Sequence, residues 1–275
     1  GLKEGLERDG VTAPILVTAS NGGSLSLASA SDRPVETILS GPASGVMAAA
    51  RLAKAANIES IISFDMGGTS SDIAVAQAGS AELATRTDIG GLPLVLPVVD
   101  VSAIGAGGGS IVWVDAHGML KVGPQSAGAV PGPVSYGKGG TQPTVTDCYL
   151  ALGYIDPAGF LGGRMKLDID AARNALADIG RRIGLPSDHG AALAAEGALA
   201  VTTAGMATEL YKTLAARGLD PASFALVPFG GAGPTHANLL AQETGIALVI
   251  IPPAAGTFCA LGAAAADLRR DFVRS

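Results

Sequence analysis

"SFDMGGTSSDIAV" (residues 63–75) is an apolar run interrupted by paired glycines between two aspartates, after which apolar residues resume. The larger segments around it read as two strands: Ile-rich "IESIISFDM" (58–66) and the alternating "SDIAVAQAG" (71–79). The few residues between them leave no room for a crossover helix, so the pair predicts an antiparallel hairpin. Its bend would gather backbone N–H groups on one concave surface. Gly67 and Gly68 lack the Cβ atoms that would keep an anion away, and Thr69 and Ser70 add hydroxyl donors. Asp65 and Asp72 would repel a phosphate directly; they suit Mg²⁺ held through water, or the orientation of an attacking nucleophile. A tight hairpin with aspartate as an ordinary turn residue is the competing explanation.

Working outward, "APILVTAS" (13–20) reads as a short buried strand after a charged first helix. Residues 40–57 read as a helix, with Ser40 at its cap and Pro42 in its first turn. Pro93 and Pro97 keep 92–104 extended. "GAGGGS" (105–110) then leads into a hairpin tipped by "DAHG", followed by a long Pro/Gly loop over 124–145. Helices are expected from Thr146, as cap, to about Gly153, then over 168–184 and 190–218. Strand 224–229, the turn "GGAGPT", a helix, strand 247–253 and a last helix from about Gly256 to Arg270 complete the chain. Alternating strand and helix here imply parallel α/β pairing. "VPFGGAGPTHA" (227–237) runs a strand into a helix through Gly230, Gly231, Ala232 and Gly233, as at nucleotide sites of open α/β sheets. It is not the dinucleotide fingerprint, and a plain strand-to-helix turn would look the same.

Composition narrows the field. The 275 residues are 48% hydrophobic but only 4% aromatic, so the core is built from Ala, Val, Leu and Ile. A net charge of −6 argues against a nucleic-acid partner. Cys148 and Cys259 make neither a disulfide framework nor a CxxC metal site, which points to a reduced, cytoplasmic chain. No signal peptide or membrane span is expected; "AGTFCALGAAAADL" (255–268) comes nearest and ends in charges. The 39 glycines are clustered in doublets and triplets, among them Gly90–Gly91, Gly107–Gly109 and Gly230–Gly231.

Taken with "TASNGGSLSLASASDRPVETILSGPASGV", "IGAGGGSIVWVD", "VGPQSAGAVPGPVSYGKGG", "TVTDCYLALG", "LVPFGGAGPTHANLLA" and "IPPAAGTFCALGAAAADLRRDFVRS", the hairpin motif resembles the hydantoinase A / 5-oxoprolinase family. That family includes ATP-dependent N-methylhydantoinases and the nucleotide-handling subunits of acetone and acetophenone carboxylases. The resemblance implies an α/β lobe of the actin-like, ribonuclease-H-like ATPase class, with a mixed sheet, hairpin strands and flanking helices. It also implies ATP and Mg²⁺ as cofactors, a hydantoin, lactam or ketone as small-molecule substrate, and a B-type subunit or domain as partner. ATP would phosphorylate a cyclic amide or carbonyl oxygen ahead of ring opening or carboxylation. The whole chain, 1–275, then reads as a hydantoinase A-type domain. Residues 1–57 would come from the interlobe region and 58–275 would form the second lobe, with an inserted loop and helical part at about 124–218. Family members usually carry a preceding lobe with its own Asp-x-Gly-Gly-Thr turn, and a C-terminal extension. Neither is expected here, and such a fragment should turn over little or no ATP.

By resemblance, Asp65, Gly67, Gly68, Thr69, Ser70 and Asp72 form a phosphate and metal turn, and Gly230–Gly233 approach the nucleotide's sugar or α-phosphate. Gly107 and Gly108 belong to a third anion loop or to a supporting hinge. Asp100 stands at a strand end as a metal ligand or catalytic carboxylate, weakened by Ser102 where relatives carry His. His236 would lie near the phosphates and move protons, and Asp147 would either cap its helix or face the substrate. His117 and His189 read as surface residues, Cys148 as a buried one. A non-catalytic nucleotide-binding assembly subunit and a small-molecule kinase of the same superfold are the rival functions.

Overall fold

The computed structural model describes residues 1–89 and 91–269, so Gly90 of the glycine pair and Arg270 at the expected helix end lie outside the described residues. In chain order the elements begin α1 (Leu2–Arg8), β1 (Leu16–Thr18), β2 (Ser24–Ser26), α2 (Leu27–Asp32), α3 (Ser40–Ala55), β3 (Ser60–Met66) and β4 (Ser71–Gln77). Short strands follow: β5 (Ser80–Ala81), β6 (Leu83–Ala84), β7 (Thr87–Ile89), β8 (Leu92–Leu94), β9 (Val98–Val99) and β10 (Val101–Ile104). Then come β11 (Ser110–Val114), β12 (Leu120–Ser126), α4 (Val145–Ala151), α5 (Ile169–Arg182) and α6 (Gly190–Ala215). The last elements are β13 (Ala225–Phe229), α7 (Gly233–Thr244), β14 (Leu248–Val249) and α8 (Phe258–Ala264).

The main sheet runs β10-β4-β3-β13-β14, with β5 paired to β4. Its middle strand β3 is buried along nearly its whole length, as a continuous apolar run in a strand covered on both faces should be. Beside it, Gly67 N–H donates to Ser70 C=O and Ala78 N–H to Glu59 C=O, closing both ends of the expected antiparallel hairpin. β13 and β14 pair in parallel, Ala225 opposite Leu248. The result is α/β with a mixed sheet and flanking helices.

The described residues divide into two compact units, residues 1–63, 74–89, 91–101 and 257–269 forming one and 64–73 and 102–256 the other. In the first, Ala43, Val46, Ala74 and Val99 make a small-residue core. Gly262 of α8 lies against Ser44 O and the Cβ of Ala48 in α3, a crossing that admits no side chain. In the second, α6 packs against α5, α4 and α7. Leu150, Leu167 and Ala172 nucleate a further cluster.

Several local expectations change. The cap of α3 is Leu39, with Ser40 already inside the helix. The strand at 13–20 shrinks to β1, with Leu16 exposed. β14 stops at Val249 and the segment ends in Pro252 and Pro253, which have no N–H for a ladder. α8 ends at Ala264. Among the described residues α6, not the 255–268 stretch, is the helix long and apolar enough to cross a membrane, and half of its apolar window is buried inside the protein.

Candidate functional site

The second unit brings its glycine turns together. Gly108 N–H donates to Gly67 C=O (2.9 Å) and Gly109 N–H to Gly68 C=O (2.5 Å), while Ala232 N–H donates to Met66 C=O (2.9 Å). A Cβ on Gly107 would stand 2.9 Å from Gly67 O, and one on Gly230 would collide with Asp65 Oδ1 and stand 2.5 Å from Met66 O. Gly230 also has φ +81°, a conformation that favours glycine. The 65–70 bend is therefore held on one side by 107–109 and on another by 230–232.

These contacts divide the roles. Gly107–Ser110 are buried. The Gly107 N–H is taken by Ser110 Oγ (2.9 Å), and those of Gly108 and Gly109 by the bend. Of the two readings of Gly107 and Gly108, the supporting hinge fits; their amides are not turned toward an outside anion. By contrast Gly68, Thr69, Ser70 and Gly231 are exposed. A Cβ added at Gly68 or Gly231 would meet no protein atom within 4 Å. Among the described residues no protein acceptor meets the N–H of Gly68, Thr69 or Ser70. The open donors of the platform thus lie on the bend itself and beside Gly231.

Asp65 and Asp72 flank that bend, both partly buried. Burial, and then the charge of Asp65, push the Asp72 carboxyl up to about 6. A pair of carboxylates that repel each other in partial shelter is relieved by a cation. Among the described residues no cluster of three or more His, Cys, Asp or Glu forms a metal cage. Asp65 and Asp72 are the residues that could hold a divalent cation such as Mg²⁺, which commonly takes one or two carboxylates and completes its shell with water and phosphate oxygens.

Two expected site residues of the second unit are placed away from the bend, and a third, Asp100, lies in the first unit. His236 is fully buried and both ring nitrogens are engaged: Nδ1 with Tyr149 Oη (2.8 Å) and Nε2 with Thr203 Oγ1 (3.2 Å). Burial lowers its pKa to about 4. It is neutral and closed from solvent, which removes it as a proton carrier to a bound phosphate. Asp147 is also fully buried. Its carboxylate accepts from the N–H groups of Val134, Ser135 and Thr144 and from the Thr144 hydroxyl, all within 3.2 Å. Thr144 is the cap of α4, with Asp147 completing a capping box, so Asp147 anchors the 124–145 loop and does not face substrate. Asp100 belongs to the first unit, its N–H bonded to Glu82 C=O.

Some residues that shape the site carry no motif of their own. Thr146, expected as a cap, gives both its N–H (2.7 Å) and its hydroxyl (2.8 Å) to Gly108 C=O. Ser71 Oγ donates to Ala106 C=O (2.6 Å). The T-x-x-D spacing of 144–147 was the one available signal for the loop anchor. His117 and His189 are exposed, and the Cys148 thiol is buried with its pKa pushed up by that burial. A cavity of about 600 Å³ borders Gly105 and Ala106, walled by Ile104, Val122, Val201 and Thr202.

A glycine-walled, acidic bend on an α/β mixed sheet is the class of site this fold defines. The profile of the hydantoinase/oxoprolinase family matches residues 1–272, and the chain belongs to that family. It is 40% identical to the caprolactamase alpha subunit of Pseudomonas jessenii over 96% of this chain and 38% of that subunit. Among solved structures, a nucleotide-free acetone carboxylase superposes with a TM-score of 0.87 at 33% identity, covering 97% of this chain and 37% of that one. The ATP-dependent caprolactamase of P. jessenii gives 0.82 at 37%, covering 97% and 39%. The chain thus spans about two fifths of the length of the relatives it matches.

Proposed function

We propose that this chain is the nucleotide-binding domain of an ATP-dependent enzyme that activates a cyclic amide or carbonyl compound by phosphorylating its oxygen. The observation that carries the reading is the convergence of the glycine turns on one acidic bend. Gly68–Ser70 and Gly231 would offer N–H groups to phosphate oxygens, and the start of α7 adds its positive end. Asp65 and Asp72 would hold Mg²⁺, which when bound supplies charge neutralisation between the phosphates. Gly107–Gly109, Thr146 and Ser71 keep the bend in place. The open depression beside Gly105, lined by Ile104, Val122, Val201, Thr202 and Glu209, offers space for a lactam ring or a ketone. Moving the γ-phosphoryl group to the substrate oxygen releases ADP and leaves a carbon open to water or another nucleophile. The names of the relatives support ATP use and an amide or ketone substrate, and the alpha-subunit relative supports a partner subunit; a B-type partner and a cytoplasmic location are further parts of this proposal.

Calorimetric titration of Mg-ATP tests the reading, with Asp65→Ala and Gly231→Val beside the wild type. Binding by the wild type that both substitutions remove is expected. Binding that survives both would move the nucleotide elsewhere. Substrate-stimulated phosphate release by the full-length protein on lactams, hydantoins or ketones then separates a catalytic domain from an assembly subunit, and a stable phosphorylated product would mark a kinase.

A further inference from the structure

The buried polar chain Tyr149–His236–Thr203 is not consumed by the bend chemistry, yet it joins the elements that carry the bend. Tyr149 lies on α4, one turn after the Thr146 that grips Gly108. His236 lies on the first turn of α7, directly after Gly230–Gly233. Thr203 lies on α6, and the Tyr149 hydroxyl also reaches Met66 Sδ (3.9 Å), the residue that leads into Gly67. All three polar residues are essentially buried.

Hydrogen counting fixes the proton positions. Thr203 Oγ1 has one hydrogen, and it is committed to Leu199 C=O at 2.7 Å. Its lone pairs face His236 Nε2, so Nε2 carries the proton. Nδ1 is then an acceptor, and Tyr149 Oη–H donates to it at 2.8 Å in preference to the distant sulfur. The opposite tautomer would leave Nε2 without a donor unless Thr203 broke its bond to Leu199. Every polar atom of the chain is satisfied in one arrangement only.

We propose that Tyr149, His236 and Thr203 are positioning residues for the nucleotide site, a neutral hydrogen-bonded chain that fixes α7 and its Gly230–Gly233 turn against α4 and the Asp65–Ser70 bend. The proposal rests on the nucleotide-binding reading above. Open amides bind an anion well only if their spacing is set before the anion arrives. Met66 C=O to Ala232 N–H is the direct link between the turns, and the buried chain lies behind it.

Tyr149→Phe removes the donor to Nδ1 without changing the ring, and Thr203→Val removes the acceptor of Nε2–H at similar volume. Both would weaken Mg-ATP binding by the full-length protein roughly tenfold, the size expected of losing one buried hydrogen bond's worth of order. Thr203→Ser keeps the hydroxyl and would restore binding to within about twofold of wild type. Nitrogen NMR of labelled histidine would show His236 protonated at Nε2 alone in the wild type at neutral pH. Wild-type affinity in folded Tyr149→Phe and Thr203→Val, or a ring protonated at Nδ1, would overturn the proposal. Absence of Mg-ATP binding by the wild type itself would instead remove the nucleotide reading, and the positioning role with it.

Discussion

Asp72 shows how a single residue carries the cation argument. Its carboxyl is lifted to about 6 first by burial and then by Asp65, so ionising it in metal-free protein costs stability. Asp72→Asn removes that cost and should raise the unfolding midpoint in chelator by about 2–4 °C, while abolishing the stabilisation that Mg-ATP gives. A lower midpoint in chelator would mean that Asp72 is held by favourable contacts and not opposed by Asp65. Gly230 and Gly231 make a second comparison at this scale. Alanine at Gly230 meets a positive φ, the Asp65 carboxylate and the Met66 backbone and should cost ~1–3 kcal/mol in urea denaturation. Alanine at Gly231 enters open space and should stay within about 0.5 kcal/mol of wild type, yet weaken nucleotide binding. Equal stability losses at both positions would mean that Gly231 also packs on protein.

At the scale of elements, the hairpin was legible because its signal is local: alternation, paired glycines and turn residues act over a few positions. The helices of the second unit were legible for the same reason, with α5 and α6 ending within two or three residues of expectation. What escaped depends on contacts distant in sequence. His236 opens a helix after a glycine turn, which resembles an exposed site; only the tertiary partners Tyr149 and Thr203 place it inside. Asp147 looked available to substrate, and only the loop residues Val134 and Ser135 reveal its ligands. Glycine clusters show where backbone comes close, but not whether protein or ligand fills the gap, so 107–108 and 67–68 look alike in sequence and differ in structure. Gly262 is a third case, where the neighbour is a helix. Its missing side chain lets α8 rest on Ser44 and Ala48 of α3. Gly262→Ala should cost ~1–3 kcal/mol by overpacking that crossing, read as a shifted denaturation midpoint with unchanged slope; a neutral result would mean the two helices separate freely.

For the molecule as a whole, two groups displaced into the same pH range act on acid stability with opposite sign. His236 has a folded pKa near 4 against 6.5 for the free side chain, so between those values the unfolded chain binds more protons. Stability from this group is full above about 6.5 and is lost as pH falls toward 4, by ~3 kcal/mol in all. Asp72 is displaced upward, from 3.8 to about 6, so there the folded chain binds more protons and acidification stabilises it. Being only partly buried, Asp72 offsets part of that loss in metal-free protein, so the wild-type profile should fall from pH 6.5 to 4 less steeply than His236 alone dictates. Asp72→Asn removes the stabilising member and leaves His236 unopposed. The variant should start above wild type at pH 7, fall steeply below pH 6 and converge on the wild-type curve toward pH 4. Urea denaturation of both proteins across that range, in chelator, measures the difference. Parallel profiles would show that Asp72 is not displaced upward, and a flat profile in the variant would show that burial does not hold His236 neutral, so that the proton assignment along Tyr149–His236–Thr203 would have to be redrawn.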